Sequence, residues 1–112
     1  MTLKKKTIIL ILFDLVWFLV FGFCRRHWVL AVLDMKTYTC YYLDSIRNGT
    51  INPMLRQIID AAMALHAIQN VNWVKAKCPY QTGGTECGYY VLKFMKEVVE
   101  EGIEILANDN AL

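Results

Sequence analysis

The longest apolar run of the chain occupies residues 7–24, "TIILILFDLVWFLVFGFC", and Asp14 is the one charged residue within it. The run has about the length that a helix needs to cross a bilayer, although Asp14 would be costly near the centre of such a span. Lysines precede the run and arginines follow it, so the flanking charges indicate no orientation. The pattern alone therefore allows a membrane helix.

Two interpretations of residues 7–24 stay open, a transmembrane helix and a buried helix or strand of a globular domain. A signal peptide is less favoured, because "GFCRRH" is a poor cleavage site. The composition becomes ordinary after residue 24, which predicts a boundary there. We expect an apolar N-terminal helix within 1–24, either membrane-spanning or a gene-model artefact, followed by a separate domain at 25–112.

The remainder of the chain shows the pattern of short alternating elements. Two runs rich in β-branched and aromatic residues are separated by a brief "DMKT" turn, which predicts a β-hairpin. Asn52 and Pro53 are typical of a helix start. The predicted elements are strands at 27–35 and 36–45, a turn at 47–50, a helix at 53–69, a strand at 72–78 and a helix from about residue 87.

The apolar positions of the two predicted helices recur at steps of three and four residues, which predicts one buried face for each. For the first helix that face is Ile51, Leu55, Ile58, Ala62 and Leu65. For the second it is Tyr90, Val91, Phe94, Met95, Val98 and Val99. Three strands and two helices predict an α+β fold with a thin core.

Composition narrows the class of protein further. The 112 residues are 56% hydrophobic and 20% charged, with a net charge of +2, which gives no argument for a nucleic-acid partner. The cysteines at 24, 40, 78 and 87 form no C-x-x-C pair, so the usual zinc signatures are absent and no metal is expected. We interpret them as reduced thiols of an intracellular protein, with Cys40 and Cys78 in the core.

The stretch "CPYQTGGTECGYY" at 78–90 raises the question of chemistry. Cys87 opens the second predicted helix, where the helix dipole favours a thiolate, behind a loop that contains glycine. A thiol protease also needs a base, an acid to orient it and a donor for the oxyanion. His27, Asp44 and Gln81 are candidates for these roles in that order. Sequence order alone leaves the nucleophile and an ordinary buried thiol both open.

Three segments together resemble a known family: "HWVLAVLD", "YYLDS" and "CPYQTGGTECGYYVLKFMKEVV". The pattern of His-Trp, then Tyr/Phe-x-Asp-Ser, then Gln-x5-Cys-Gly is similar to that of the Ulp1-like cysteine peptidases, which remove SUMO from its conjugates. The likeness is strongest to plant forms associated with transposable elements, and it covers residues 27 to about 102. It implies a partial papain-like α+β fold of the Ulp1 type.

The resemblance also implies roles for single residues. Cys87 would be the nucleophile, His27 the general base and acid, Asp44 the group that orients His27, and Gln81 the oxyanion donor. Trp28, packed beside these residues, and Gly88 would bind the substrate, a ubiquitin-like modifier of the SUMO type whose Gly-Gly end is threaded through a narrow tunnel.

For the whole protein the resemblance implies hydrolysis of peptide or isopeptide bonds without a cofactor, in the nucleus or cytoplasm. Family domains are about twice as long as this chain, and residues 1–24 do not resemble their N-terminal half. The second hypothesis is therefore a non-catalytic remnant that keeps the motif without function, and that either associates with a membrane through residues 7–24 or acts as an interaction module.

Overall fold

The computed structural model describes residues 7–13, 16–23, 27–46, 50–83 and 86–107. The elements, in chain order, are β1 (Thr7–Phe13), β2 (Val16–Phe23), β3 (His27–Asp34), β4 (Thr39–Leu43), α1 (Pro53–Ala64), β5 (Asn72–Lys75), α2 (Cys87–Glu101) and a short 3-10 helix (Ile103–Ala107). The predicted turn at 47–50 and the end of the predicted C-terminal tail fall largely outside these residues.

The five strands form one sheet in the order β1-β2-β3-β4-β5. Neighbouring strands are antiparallel except β4 and β5, which are parallel. A parallel pair needs a crossover connection, and α1 supplies it between these two strands. The predicted hairpin at 27–45 is confirmed as β3 and β4, and the predicted α+β class is confirmed.

The predicted N-terminal helix is wrong, because residues 7–13 and 16–23 form two antiparallel strands. The two apolar runs on either side of Asp14 are each the length of a strand and rich in β-branched and aromatic residues, which favour a sheet. β2 then pairs with β3 from Val16↔Asp34 to Phe23↔His27. Among the described residues, no helix has the length and apolar character that crossing a membrane requires.

Helices cover both faces of the sheet, and β3 shows this by alternation. Leu30 and Val32 belong to a core cluster with residues of α2, whereas Val29 and Ala31 belong to one with residues of α1. Side chains of a strand point alternately to its two faces, so α1 and α2 lie on opposite sides. All four of these β3 residues are fully buried, which makes the middle of β3 the centre of the described core.

The helix starts were predicted well, and the buried faces less well. The Asn52 side chain caps α1 by accepting from the backbone N–H groups of Met54 and Leu55. The buried stripe of α1 is Leu55, Ile59 and Met63, whereas the predicted face residues Ile58 and Leu65 are 38% and 87% exposed.

Two further details of the helices differ from the predictions. α1 ends at Ala64 rather than 69, because Ala67 adopts a left-handed conformation with φ 62° and the Ile68 N–H turns back to the Met63 carbonyl. In α2 the buried residues are Cys87, Val91, Phe94 and Val98, and the predicted Val99 is exposed.

Candidate active site

Cys87 is the first residue of α2, as predicted. Its side chain is 1% exposed, and its Sγ accepts a hydrogen bond of 3.2 Å from the backbone N–H of Trp28. Trp28 follows His27 directly, so the thiol lies against the start of β3. Both a helix N-terminus and a backbone N–H donor stabilise negative charge on sulfur.

His27 and Asp44 meet at the end of the sheet where β3 begins and β4 ends. The antiparallel register, with Leu30 opposite Leu43, brings these two strand ends together. The distance from His27 Nε2 to Asp44 Oδ1 is 3.2 Å. The same carboxylate oxygen accepts a bond of 3.0 Å from the Ile46 N–H. The pairing predicted from the hairpin therefore exists, in a buried carboxylate held on two sides.

Gln81 lies on the loop between β5 and α2 and bonds to Ser45, the residue after Asp44. Its backbone N–H donates to the Ser45 carbonyl at 2.7 Å, and its side-chain Oε1 accepts from the Ser45 hydroxyl. Its Nε2 donates to the Gly83 carbonyl at 2.9 Å. Hydrogen bonds thus hold the loop to the chain segment that carries Asp44, just after β4.

Trp28 and Gly88, the predicted substrate-binding residues, face each other beside Cys87. A Cβ placed on Gly88 would lie 3.9 Å from Trp28 Cδ1, an ordinary van der Waals contact. The indole is half-buried and packs against the α2 side of the core. Cys87 is therefore bordered by an aromatic side chain and by a residue that has no side chain.

The thiols of Cys40 and Cys78 differ from Cys87 in their surroundings. Burial, and to a lesser degree the charge of Asp60, raises the pKa of the fully buried Cys40 to about 12. Burial raises the pKa of the half-buried Cys78 to about 11, and its Sγ donates to the Asp44 carbonyl at 3.5 Å. At neutral pH both stay protonated, as suits thiols in a packed interior.

No group of three or more His, Cys, Asp or Glu side chains that could hold a metal ion occurs in the part of the chain that the structure describes. Of the four catalytic candidates, His27 and Asp44 form a pair. The Cys87 thiol contacts Trp28, and the Gln81 side-chain amide contacts Ser45. All of these contacts lie where the start of β3 and the end of β4 adjoin the start of α2.

Three further residues shape this junction and had no predicted role in the site, namely Ser45, Gly83 and Glu86. Ser45 bonds the side chain of Gln81, and Gly83 accepts from it. Glu86 Oε2 in turn accepts from the Gly83 N–H at 3.3 Å. The one available signal was the serine directly after Asp44, since a hydroxyl next to a buried carboxylate needs a partner of its own.

The chain is similar in sequence to known proteins. Residues 3–109 match the sequence model described as "Ulp1 protease family, C-terminal catalytic domain". The match includes most of the segment that composition had set apart as 1–24. The chain is 28% identical over 75 residues to the ubiquitin-like-specific protease 1 of Saccharomyces cerevisiae. The aligned region covers 60% of this chain and 12% of that protein.

Two solved structures show the same fold. The SUMO protease Ulp1 with its catalytic cysteine oxidized to a sulfonic acid superposes with a TM-score of 0.61 and 25% identity, over 83% of this chain and 44% of that one. The C-terminal Ulp1 protease domain in complex with Smt3, the yeast orthologue of SUMO, superposes with a TM-score of 0.56 and 24% identity, over 74% of this chain and 41% of that one. The chain therefore spans less than half the length of the relatives it matches.

Proposed function

The chain belongs to the Ulp1 protease family, and from this premise we propose that it is a cysteine peptidase that hydrolyses peptide or isopeptide bonds at the end of a SUMO-type modifier. Cys87 is the nucleophile, His27 the general base and acid, Asp44 the group that orients His27, and Gln81 the oxyanion donor. The reaction passes through a thioester and uses no cofactor. By family likeness the site of action is the nucleus or cytoplasm.

In the first step His27 takes the proton of the Cys87 thiol, and the sulfur attacks the carbonyl carbon of the scissile bond. Because Nε2 of His27 faces Asp44, the ring nitrogen that exchanges the proton with sulfur is Nδ1. The carboxylate stabilises the imidazolium that forms. Collapse of the tetrahedral intermediate breaks the C–N bond, and His27 returns the proton to the leaving amine.

In the second step water hydrolyses the thioester, with His27 as the base, and the Cys87 thiol is regenerated. Both steps place negative charge on the former carbonyl oxygen. The amide group of Gln81 and the backbone N–H of Cys87 are the donors for it, since N–H groups of a first helical turn point outward from the helix end. Hydrogen bonds of this kind act mainly in the transition state and so raise the rate.

The surroundings of Cys87 favour a substrate that is thin near the scissile bond. The thiol is 1% exposed, and Trp28 and Gly88 flank it. A chain end of two glycines has no side chains to clash with the indole, whereas a bulky residue would have to displace it. The absence of side chains at a Gly-Gly end therefore supports the SUMO-type modifier as substrate, and a relative has been solved in complex with Smt3.

The observation that carries the proposal is the contact of Cys87 Sγ with the Trp28 N–H, one residue from the His27 that Asp44 holds. These contacts bring residues that are far apart in sequence to one place, and they support the proposed roles of Cys87, His27 and Asp44.

The test is covalent labelling with Smt3 that carries a C-terminal vinyl sulfone after its Gly-Gly end. Wild-type protein, folded as judged by circular dichroism, should form one adduct and Cys87→Ala none. Cys78→Ala is the matched control, since it removes a half-buried thiol that has no proposed catalytic role, and it should still be labelled. Folded wild type that stays unlabelled would instead support a non-catalytic member of the family.

A further inference from the structure

The side-chain amide of Gln81 is held from two directions. Its Nε2 donates to the Gly83 carbonyl at 2.9 Å, and its Oε1 accepts from the Ser45 hydroxyl. A carbonyl oxygen can only accept, so the contact with Gly83 fixes which end of the amide is nitrogen. The other end must then be oxygen, and the Ser45 hydroxyl must donate to it. The two contacts together set the orientation of the amide.

Ser45 is well placed to fix Gln81, because it is itself fixed. It is 2% exposed and directly follows Asp44, and its own carbonyl accepts from the Gln81 backbone N–H at 2.7 Å. The two residues therefore touch through backbone and side chain alike. A buried hydroxyl with one such partner holds that partner's rotamer, because rotation would leave both groups unpaired.

The other end of the loop is braced by the residue before the thiol. Glu86 Oε2 accepts from the Gly83 N–H at 3.3 Å. A Cβ on Gly83 would collide with that carboxylate, so glycine leaves room for it. Contacts thus run from Ser45 through Gln81 and Gly83 to Glu86, which adjoins Cys87.

We propose that Ser45 is a positioning residue, whose hydroxyl holds the Gln81 amide so that an Nε2 N–H is directed to the oxyanion. This inference rests on the proposed function. An amide nitrogen has two N–H groups, and the bond to Gly83 uses one, which leaves the second for the oxyanion. Without the Ser45 hydroxyl only the Gly83 carbonyl holds the amide, so the amide can turn about that contact and its second N–H is no longer directed to the oxyanion.

The kinetic test uses the full chain and the C-terminal aminomethylcoumarin amide of Smt3 as substrate. Ser45→Ala should lower kcat by about ten-fold or more and change KM less than about two-fold, since the oxyanion exists only in the transition state. Ser45→Thr keeps the hydroxyl and should recover most of kcat. Thr39→Val is the matched control, because it removes a hydroxyl from a buried residue at the far end of β4, and it should leave kcat unchanged.

The double variant distinguishes positioning from a general structural effect. In a Gln81→Ala background, Ser45→Ala should change kcat by less than about two-fold, because the group that Ser45 holds is gone. An equal loss of kcat in both backgrounds would overturn the proposal, and so would an unchanged kcat in Ser45→Ala alone.

A measurement that needs no activity separates this inference from the proposed function. In ¹⁵N-labelled protein, the side-chain NH₂ signals of Gln81, assigned by their loss in Gln81→Ala, should shift and exchange faster with solvent in Ser45→Ala and remain in place in Thr39→Val. If wild type does not cleave the substrate, the proposed function fails, and this spectrum decides whether Ser45 holds the amide. Unchanged Gln81 signals in Ser45→Ala would refute the positioning role.

Discussion

Asp44 is held at one carboxylate oxygen by two groups, the Ile46 N–H at 3.0 Å and His27 Nε2 at 3.2 Å. Asp44→Asn can keep the first bond through its amide oxygen but loses the negative charge. In the proposed mechanism, the imidazolium of His27 then forms without a charged partner. We expect kcat/KM on the Smt3 coumarin amide to fall by about two to four orders of magnitude, with little change in thermal stability.

Asp34 supplies the matched control for this substitution. It is a buried carboxylate at the other end of β3, where its Oδ1 accepts from the Lys36 N–H at 2.9 Å. Asp34→Asn should keep kcat/KM within about three-fold of wild type, because no proposed catalytic group contacts it. If both substitutions reduced kcat/KM equally, Asp44 would act on folding rather than on His27.

The thiols of Cys40 and Cys78 should resist alkylation in the folded protein. Thiolate is the reactive form, and with a pKa of about 11 roughly one Cys78 in a thousand is ionised at pH 8. Cys40, at about 12, is ionised less still. Mass spectrometry after iodoacetamide treatment should find both unmodified in buffer and both modified in urea. Rapid modification of Cys40 in buffer would show that the described core opens readily.

At the scale of the element, the two adjacent isoleucines of α1 differ in surroundings. Ile59 is 5% exposed and packs in the core cluster under β3 and β4, whereas Ile58 is 38% exposed. Ile59→Ala should lower the free energy of unfolding by about 2–4 kcal/mol, and Ile58→Ala by less than about 1 kcal/mol. Urea titrations measure both. The reverse order would restore the face that the sequence pattern predicted.

The wrong face of α1 has a physical explanation. Its sequence, "PMLRQIIDAAMA", allows two apolar stripes that share Leu55, one through Ile58 and Ala62 and one through Ile59 and Met63. Periodicity cannot choose between them, because the choice depends on how the helix lies across the sheet. In α2 the predicted face around Phe94 agrees with the buried one except at Val99, which is exposed.

The site shows the same division between local and distant information. The hairpin was readable from sequence, so the approach of His27 to Asp44 could be predicted, and Cys87 was recognised as a helix start. The bonds of Gln81 to Ser45 and Gly83 depend on the path of a loop, which no periodicity describes. Residues 7–23 fit a helix as well as strands until the pairing with β3 is known.

At the scale of the whole molecule, Cys40, Tyr42 and Cys78 make stability decrease at alkaline pH. Burial raises the pKa of Cys40 and Tyr42 to about 12 and that of Cys78 to about 11, from ordinary values of 9.0 for the thiols and 10.0 for the phenol. The folded state thus favours the protonated forms. Their contribution to stability is complete below about pH 9 and is lost as the pH rises through 11 to 12.

The free energy of unfolding should therefore be unaffected by the ionisation of these groups up to about pH 9 and then fall steeply. Urea titrations at intervals between pH 8 and 11 measure the slope. Cys78→Ala removes one of the three groups, so its slope above pH 9 should be shallower than that of wild type, whatever its stability at pH 8. An identical slope in both proteins would mean that Cys78 titrates alike in the folded and unfolded states.

The pairing of β2 with β3 bears on whether residues 25–112 form a domain by themselves. Deleting residues 1–24 would remove β1 and β2 and leave β3 as an edge strand, although Val29 to Val32 are fully buried at the centre of the core. A long apolar edge with unpaired N–H and C=O groups invites aggregation.

We expect the 25–112 chain to unfold without cooperativity and to aggregate, whereas a control chain lacking residues 1–6 keeps β1 and should retain the wild-type urea midpoint. Amide hydrogen exchange adds a local measurement, since the amides of β3 that pair with β2 should be protected in the control and exchange rapidly in the shorter chain. A cooperative transition of the 25–112 chain at the wild-type midpoint would show that the domain does begin after residue 24, and that the N-terminal hairpin only extends its sheet.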